Sequence, residues 1–253
     1  MKSIINIALI LSILYSGNLF ELGVLEYNNR AIGSIGLLAS NIHIDKAINL
    51  FEENLQNNNE DIEQTVIYLL KSYYFKGEYA TKDINSKKRI FDKGKKIAED
   101  YISIYPKSAA IRYWYLVNLG SSAESYGTLK AAREGVADIM KEQSERIIKL
   151  DSDYKNGGGY FMLGAVHLKS PYIPFLLSWP DKNKAVKYLQ LAVDTKGATF
   201  VQKKYLADAL YQTGLKEKAI NILNEVINSP PSKDDIIEDL NDINKAKELL
   251  KTF

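Results

Sequence analysis

Val66, Leu69, Leu70 and Tyr73 recur 47 positions later as Tyr113, Leu116, Val117 and Gly120, and 47 later again as Tyr160, Leu163, Gly164 and His167. A last set stands at Lys203, Leu206, Ala207 and Leu210. Self-similarity of this kind constrains a chain severely, because each unit buries its apolar side only by stacking on its neighbours. Within each set the spacing i, i+3, i+4, i+7 describes one face of a helix. A second pattern marks the partner helices: Gly94, Ala98, Tyr101; Met140, Ser144, Ile147; Ala185, Leu189, Ala192; and Ala219, Leu223, Val226. Pro106, Ser152, Gly197 and Pro231 follow these sets at one offset, and all are helix-ending types. Ala47 with Phe51, preceded by Leu19, Leu22 and Gly23, supplies one further copy at the start.

The first set resembles the W-x₂-L-G-x₂-Y face of a tetratricopeptide (TPR) repeat, and the second its A-x₃-F-x₂-A face. The pattern predicts an all-α, right-handed solenoid of about five TPR-like hairpins over residues 19–253. Gly164, Ala185 and Ala192 should let paired helices cross closely, with Leu163 and Leu189 filling the seam. A coiled coil would not place glycine and proline at these intervals. Residues 233–251 predict a capping helix, with Ile236, Leu240, Ile243 and Leu250 on one face and Asp234, Asp235, Glu238, Asp239 and Asp242 toward water. A standard repeat has about 34 residues. The longer units here predict insertions between paired helices at Glu78–Phe91, Ser121–Val136 and Ser170–Pro180, projecting from one edge of the stack.

Residues 1–18 read as a secretory signal: Lys2, an apolar run from Ile4 to Leu14, then Ser16 and Gly17. Eleven helical residues cover only about 16 Å, short of a hydrocarbon core. The expected product is periplasmic or secreted, and an uncleaved N-terminal anchor is the alternative. The absence of cysteine excludes disulfides, thiolate metal sites and a cysteine nucleophile. A formal charge of +2 gives no basic footprint for nucleic acid. The Lys82–Lys96 cluster reads as a solvated helix face.

Little in the chain suggests chemistry. His43 and His167 are the only histidines, and His167 occupies a core position of the repeat. Asn156–Gly159 lacks the Gly-Lys-Ser/Thr of a phosphate loop and reads as a flexible lead into a helix. Asp181 reads as a helix cap. With no paired acid, base or nucleophile, the expectation is a non-enzymatic protein without cofactor or metal.

The candidate binding residues are apolar. Tyr172–Trp179 carries six large apolar side chains, whose full exposure would cost on the order of 10 kcal/mol. They either plug the hairpin or wall a binding site. Ile67, Trp114 and Phe161, each one position after a repeat residue, would face the concave side, with Lys204 the fourth in the series; a core role fits equally. The candidate site is therefore Ile67, Trp114, Phe161, Tyr172, Phe175 and Trp179.

The run RIIKLDSDYKNGGGYFMLGAVHLKSPYIPF…DKNKAVKYLQLAV, followed by KYLADALYQTGLKEKAINILNEVI, resembles the T component associated with TRAP transporters. It is also similar to the regulator-of-microtubule-dynamics family of divergent TPR proteins. Leu150-Asp151, Gly159, Leu163-Gly164, Pro171, Pro174 and Asp181 before Ala185 carry the match, which runs from about Ala110 to the C-terminus. The resemblance implies a periplasmic helical protein that assists a solute-binding protein with an apolar ligand. Members of that family are typically lipoproteins, and this chain lacks the cysteine. The partner is then a solute-binding protein, an apolar small molecule or both, with homo-oligomers left open. A scaffold for an envelope assembly without small ligand is the alternative.

Overall fold

The computed structural model describes residues 18–57 and 61–253, so all but the last residue of the expected signal segment lies outside the described residues. Among the described residues twelve helices follow one another: α1 Leu19–Asn28, α2 Asn41–Gln56, α3 Ile62–Tyr79, α4 Ile84–Ile104, α5 Ala109–Tyr126, α6 Thr128–Arg133, α7 Val136–Leu150, α8 Tyr154–Lys169, α9 Lys182–Val193, α10 Phe200–Gln212, α11 Lys216–Asn228 and α12 Ile236–Lys251. Among the described residues the only extended pairing is two isolated bridges, Ile35 with Leu38 and Ile173 with Leu177. Polar side chains start many of the helices. Ser40, Asp83, Ser108 and Asp181 each accept a first-turn backbone N–H, and Thr199 and Gln202 form a reciprocal capping box.

Five hairpins stack as expected: α1 with α2, α3 with α4, α5 with α7, α8 with α9, and α10 with α11. Leu69, Leu116, Leu163 and Leu206, equivalent in the repeat, are all buried, as are Phe51, Leu189 and Leu223 on the partner helices. The crossings are tight because a glycine on the first helix faces a large side chain on the second. An added Cβ would come within 2.4 Å of Phe51 at Gly23, within 2.4 Å of Phe91 at Gly77 and within 2.6 Å of Leu189 at Gly164.

The insertions differ from one another. Glu78–Phe91 is not a loop: α3 continues to Tyr79, Asp83 caps α4, and Phe91 lies against Gly77, so the extra residues lengthen both helices. Ser121–Val136 extends α5 and adds the short α6. Only Ser170–Pro180 is a true loop. Asn156–Gly159 is not a flexible lead either. Gly158 packs on Tyr113 and Gly159 on Ile147 and Ile148, making a close junction of α5, α7 and α8.

The terminal helix packs on α10 and α11, as a cap should. It also reaches back to the start of the chain. Asn241 donates to the Leu37 carbonyl at 3.0 Å, Ile237 joins the core around Tyr27 and Phe75, and Lys245 pairs with Glu78 at 2.5 Å. The acidic face expected to meet water is split accordingly. Glu238 pairs with Arg30 at 2.8 Å and Asp242 with Lys204 at 2.6 Å, while Asp234 stays exposed and Asp235 reaches Arg30 at 2.6 Å from the surface.

Candidate functional site

Side chains from α3, α10 and the end of α1 all meet α12, so this helix marks the inner face of the stack. Ile67, Trp114 and Phe161 fall in one cluster on successive first helices, only 7%, 8% and 7% exposed. Their neighbours cover them. Trp114 has Tyr74 at 6.1 Å and Tyr113 at 5.4 Å between ring centroids, and Tyr205 stands edge-on to Phe161 at 5.2 Å. Lys204, next in the series, is buried against Asp242.

Tyr172, Phe175 and Trp179 belong elsewhere. Trp179 donates to Asp138 of α7 at 2.7 Å and lies edge-on to His167 at 5.0 Å, under the Lys141 ammonium. With Ile173 and Leu177 it closes over Ala137, Leu163 and Val166 as a separate cluster. The candidates thus form two groups rather than facing walls of one cavity, because the loop folds over its own hairpin. That folding is partial. Ile173 and Leu177 exchange backbone hydrogen bonds of 2.8 Å, which pushes Pro174, Phe175 and Leu176 outward. Phe175 has φ +64 and is wholly exposed; Tyr172 and Leu176 are also exposed. The segment is both plug and surface.

His167 fastens the loop's far end. Its Nδ1 accepts the Asp181 N–H at 3.1 Å, and the ring lies between Trp179 and Tyr188. Burial, reinforced by Lys184, lowers its pKa to about 4. The folded value lies below the unfolded one, so the unfolded chain takes up the proton first. Stability is complete above about pH 6.5 and is lost as pH falls toward about 4, by on the order of 2–3 kcal/mol. Urea denaturation of the wild type and of His167→Asn at pH 7.5 and 4.5 checks this: the gap between them should close at the lower pH. Among the described residues no group of His, Asp or Glu is placed to hold a metal.

The inner face carries a feature that the apolar pattern did not reveal. Lys155 (φ 51), Asn156 (φ 56) and Gly157 (φ 74) are consecutive left-handed residues at the start of α8. Asn156 holds this turn, donating to the Gly197 carbonyl at 2.8 Å and accepting from Gln202 at 2.8 Å and Thr195 at 3.0 Å. The turn brings the Lys155 ammonium to 5.9 Å from the Trp114 ring. Lys71 of α3 lies 4.0 Å from the Tyr68 ring and 4.6 Å from that of Tyr27, whose ring also has Arg30 at 4.5 Å. Burial, then Lys155 and Arg30, pull the Lys71 pKa down to about 8. Lysines carry no periodic signal, and only the three-dimensional turn at Asn156 brings Lys155 to this face.

Residues 34–169, just over half of the chain, match the family model described as regulator of microtubule dynamics protein 1-3. The crystal structure of a thermophilic TPR protein from Thermus thermophilus is similar in fold. Its TM-score is 0.57 at 16% identity, over 90% of this chain and 98% of that one. No curated protein sequence matches the chain.

Proposed function

Because the chain belongs to the regulator of microtubule dynamics protein 1-3 family, and has a TPR-type fold, we propose that it is an exported, non-enzymatic adaptor that docks a protein partner through the 170–180 loop. The observation that carries this is the outward tip of Tyr172, Phe175 and Leu176, held in a closed turn above a buried anchor. Large apolar side chains exposed at a hydrogen-bonded turn are what a protein interface uses. The loop and the inner aromatic residues lie in separate clusters, which favours a protein partner over an apolar small molecule. Within this reading the partner is a solute-binding protein of a TRAP-type system, on the resemblance of Arg146–Phe175 and its continuation to the T component. Export rests on the Lys2–Gly17 pattern. N-terminal sequencing of the mature protein should then start near Leu19; intact Met1 from a membrane fraction would refute it.

A photo-crosslinking residue at position 175 should give a discrete adduct with a partner in the envelope fraction, and one at Leu177 should give none. Phe175→Ser with Leu176→Ser should remove binding while changing stability by less than about 0.5 kcal/mol. Leu177→Ser should cost about 2–4 kcal/mol, because that side chain is buried. Equal crosslinking from both positions, or stability lost in the tip variant, would overturn the reading.

A further inference from the structure

The inner face divides into two halves that differ in charge balance. Toward α10, three cations are paired with a carboxylate: Lys204 with Asp242 at 2.6 Å, Lys169 with Asp208 at 2.7 Å and Lys245 with Glu78 at 2.5 Å. Toward α1, Arg30 pairs with both Glu238 of α12 and Asp235, the residue before that helix, and the same two carboxylates act on Lys71 from beyond ion-pair distance. Lys71 and Lys155 are left with no carboxylate within ion-pair distance among the described residues, although Tyr27, Tyr68 and Trp114 surround them.

Arg30, Lys71 and Lys155 thus outnumber Asp235 and Glu238 there; the surplus positive charge on an aromatic floor attracts a further carboxylate, and Coulomb repulsion between the two lysines is relieved when it arrives. The chain already displays the kind of ligand this face accepts. The acidic turn at the start of α12 docks on Arg30 at the edge of the same floor, with Ile237 buried beside Tyr27. Charge complementarity and continuity with that docked turn point to the same occupant.

We propose that the Lys71–Lys155 half of the inner face binds an acidic, apolar-bearing segment of a protein partner, laid alongside the chain's own α12. The left-handed turn at Lys155–Gly157 then has a role, since it delivers one of the two ammonium groups. This rests on the reading of the chain as a protein-binding module but uses a different surface from the 170–180 loop.

The test uses the full chain and three fluorescein-labelled dodecapeptides with the same Leu and Phe residues, carrying Glu, Gln or Lys at the same four positions. The Glu peptide should bind at least tenfold more tightly than the Gln peptide, the Lys peptide should not bind, and affinity should fall with salt. Lys71→Gln with Lys155→Gln should erase the preference while leaving the protein folded, since the two lysines have no ion pair to lose and give up only their contacts with the Tyr27, Tyr68 and Trp114 rings. Charge reversal of both to Glu should transfer binding to the Lys peptide. Equal binding of Glu and Gln peptides, or an unchanged preference in the Gln double variant, would overturn the proposal. So would binding that depends on Arg30 but not on Lys155, since that would mean displacement of α12. Full displacement by millimolar inorganic phosphate would assign the site to a small anion and overturn the peptide ligand. Crosslinking from position 175 reports on the loop separately, so it can succeed when this proposal fails.

Discussion

Gly164→Leu should destabilise the protein by about 3 kcal/mol or more, at the upper end of what overpacking costs. The reason lies in what the side chain would meet. A Cβ at Gly164 would sit 2.6 Å from Leu189 Cγ and 3.0 Å from the Leu189 backbone N. Leu189 can turn its methyl groups aside, but its backbone nitrogen moves only with α9. The crossing of α8 and α9 must therefore open, loosening Leu163 and Ala185 in the same seam. Gly164→Ala isolates the steric part. In a helix interior alanine is favoured over glycine by about 1 kcal/mol, yet here it should still destabilise. Gly120→Ala is the control, because its Cβ would meet only the end of the Met140 side chain, methyl at 3.6 Å and sulfur at 4.0 Å, which are ordinary contacts. That variant should be neutral or slightly stabilised. Guanidinium melts of the three variants check the order, and wild-type stability in Gly164→Leu would mean that the helices do not cross there.

The hairpins were legible in sequence because burial in a repeat is periodic. Leu69, Leu116, Leu163 and Leu206 occupy one position in successive units, and each lies in the core. The helix ends were legible too, with Pro106, Ser152, Gly197 and Pro231 falling just past Ile104, Leu150, Val193 and Asn228. The inner face was less so. Ile67, Trp114 and Phe161 sit at the border between seam and groove, and which side they join depends on large neighbours such as Tyr74 and Tyr205. The extra residues between Glu78 and Phe91 could lengthen helices or form a loop. The choice was made by Gly77 under Phe91, a contact between two chain segments. The 170–180 loop divided as its residues allow: Ile173 and Leu177 turn inward on one bridge, and Phe175 between them points away.

Least legible of all was the link between the two ends of the chain, which is also where the second large effect is expected. Arg30 and Glu238 are 208 positions apart, and no local pattern joins them. In an open solenoid each unit touches only its neighbours, so unfolding can start at either end. Here the buried Arg30 side chain donates to Glu238 at 2.8 Å, to Asp235 at 2.6 Å and to the Asp234 carbonyl at 2.7 Å. It ties the last helix to the first hairpin and so couples terminal units that would otherwise fray separately. Arg30→Met keeps an unbranched apolar side chain but removes the charge and its stacking over Tyr27 and Phe75. Glu238, whose carboxyl is already pushed up by burial against the pull of Arg30, is then left half-buried without a cation. Removing one member of a buried pair costs about 3–5 kcal/mol, and the partial exposure here puts the expectation near 2–4 kcal/mol. Two readouts distinguish loss of the tie from general damage. Amides of Ile237–Leu240 should exchange markedly faster while those of α5 and α8 do not, and the single unfolding transition should split in two. Arg30→Met with Glu238→Met should restore most of the stability, because an apolar pair leaves no buried charge behind. An unchanged exchange rate in α12 would show that its packing on α10 and α11 alone holds it in place.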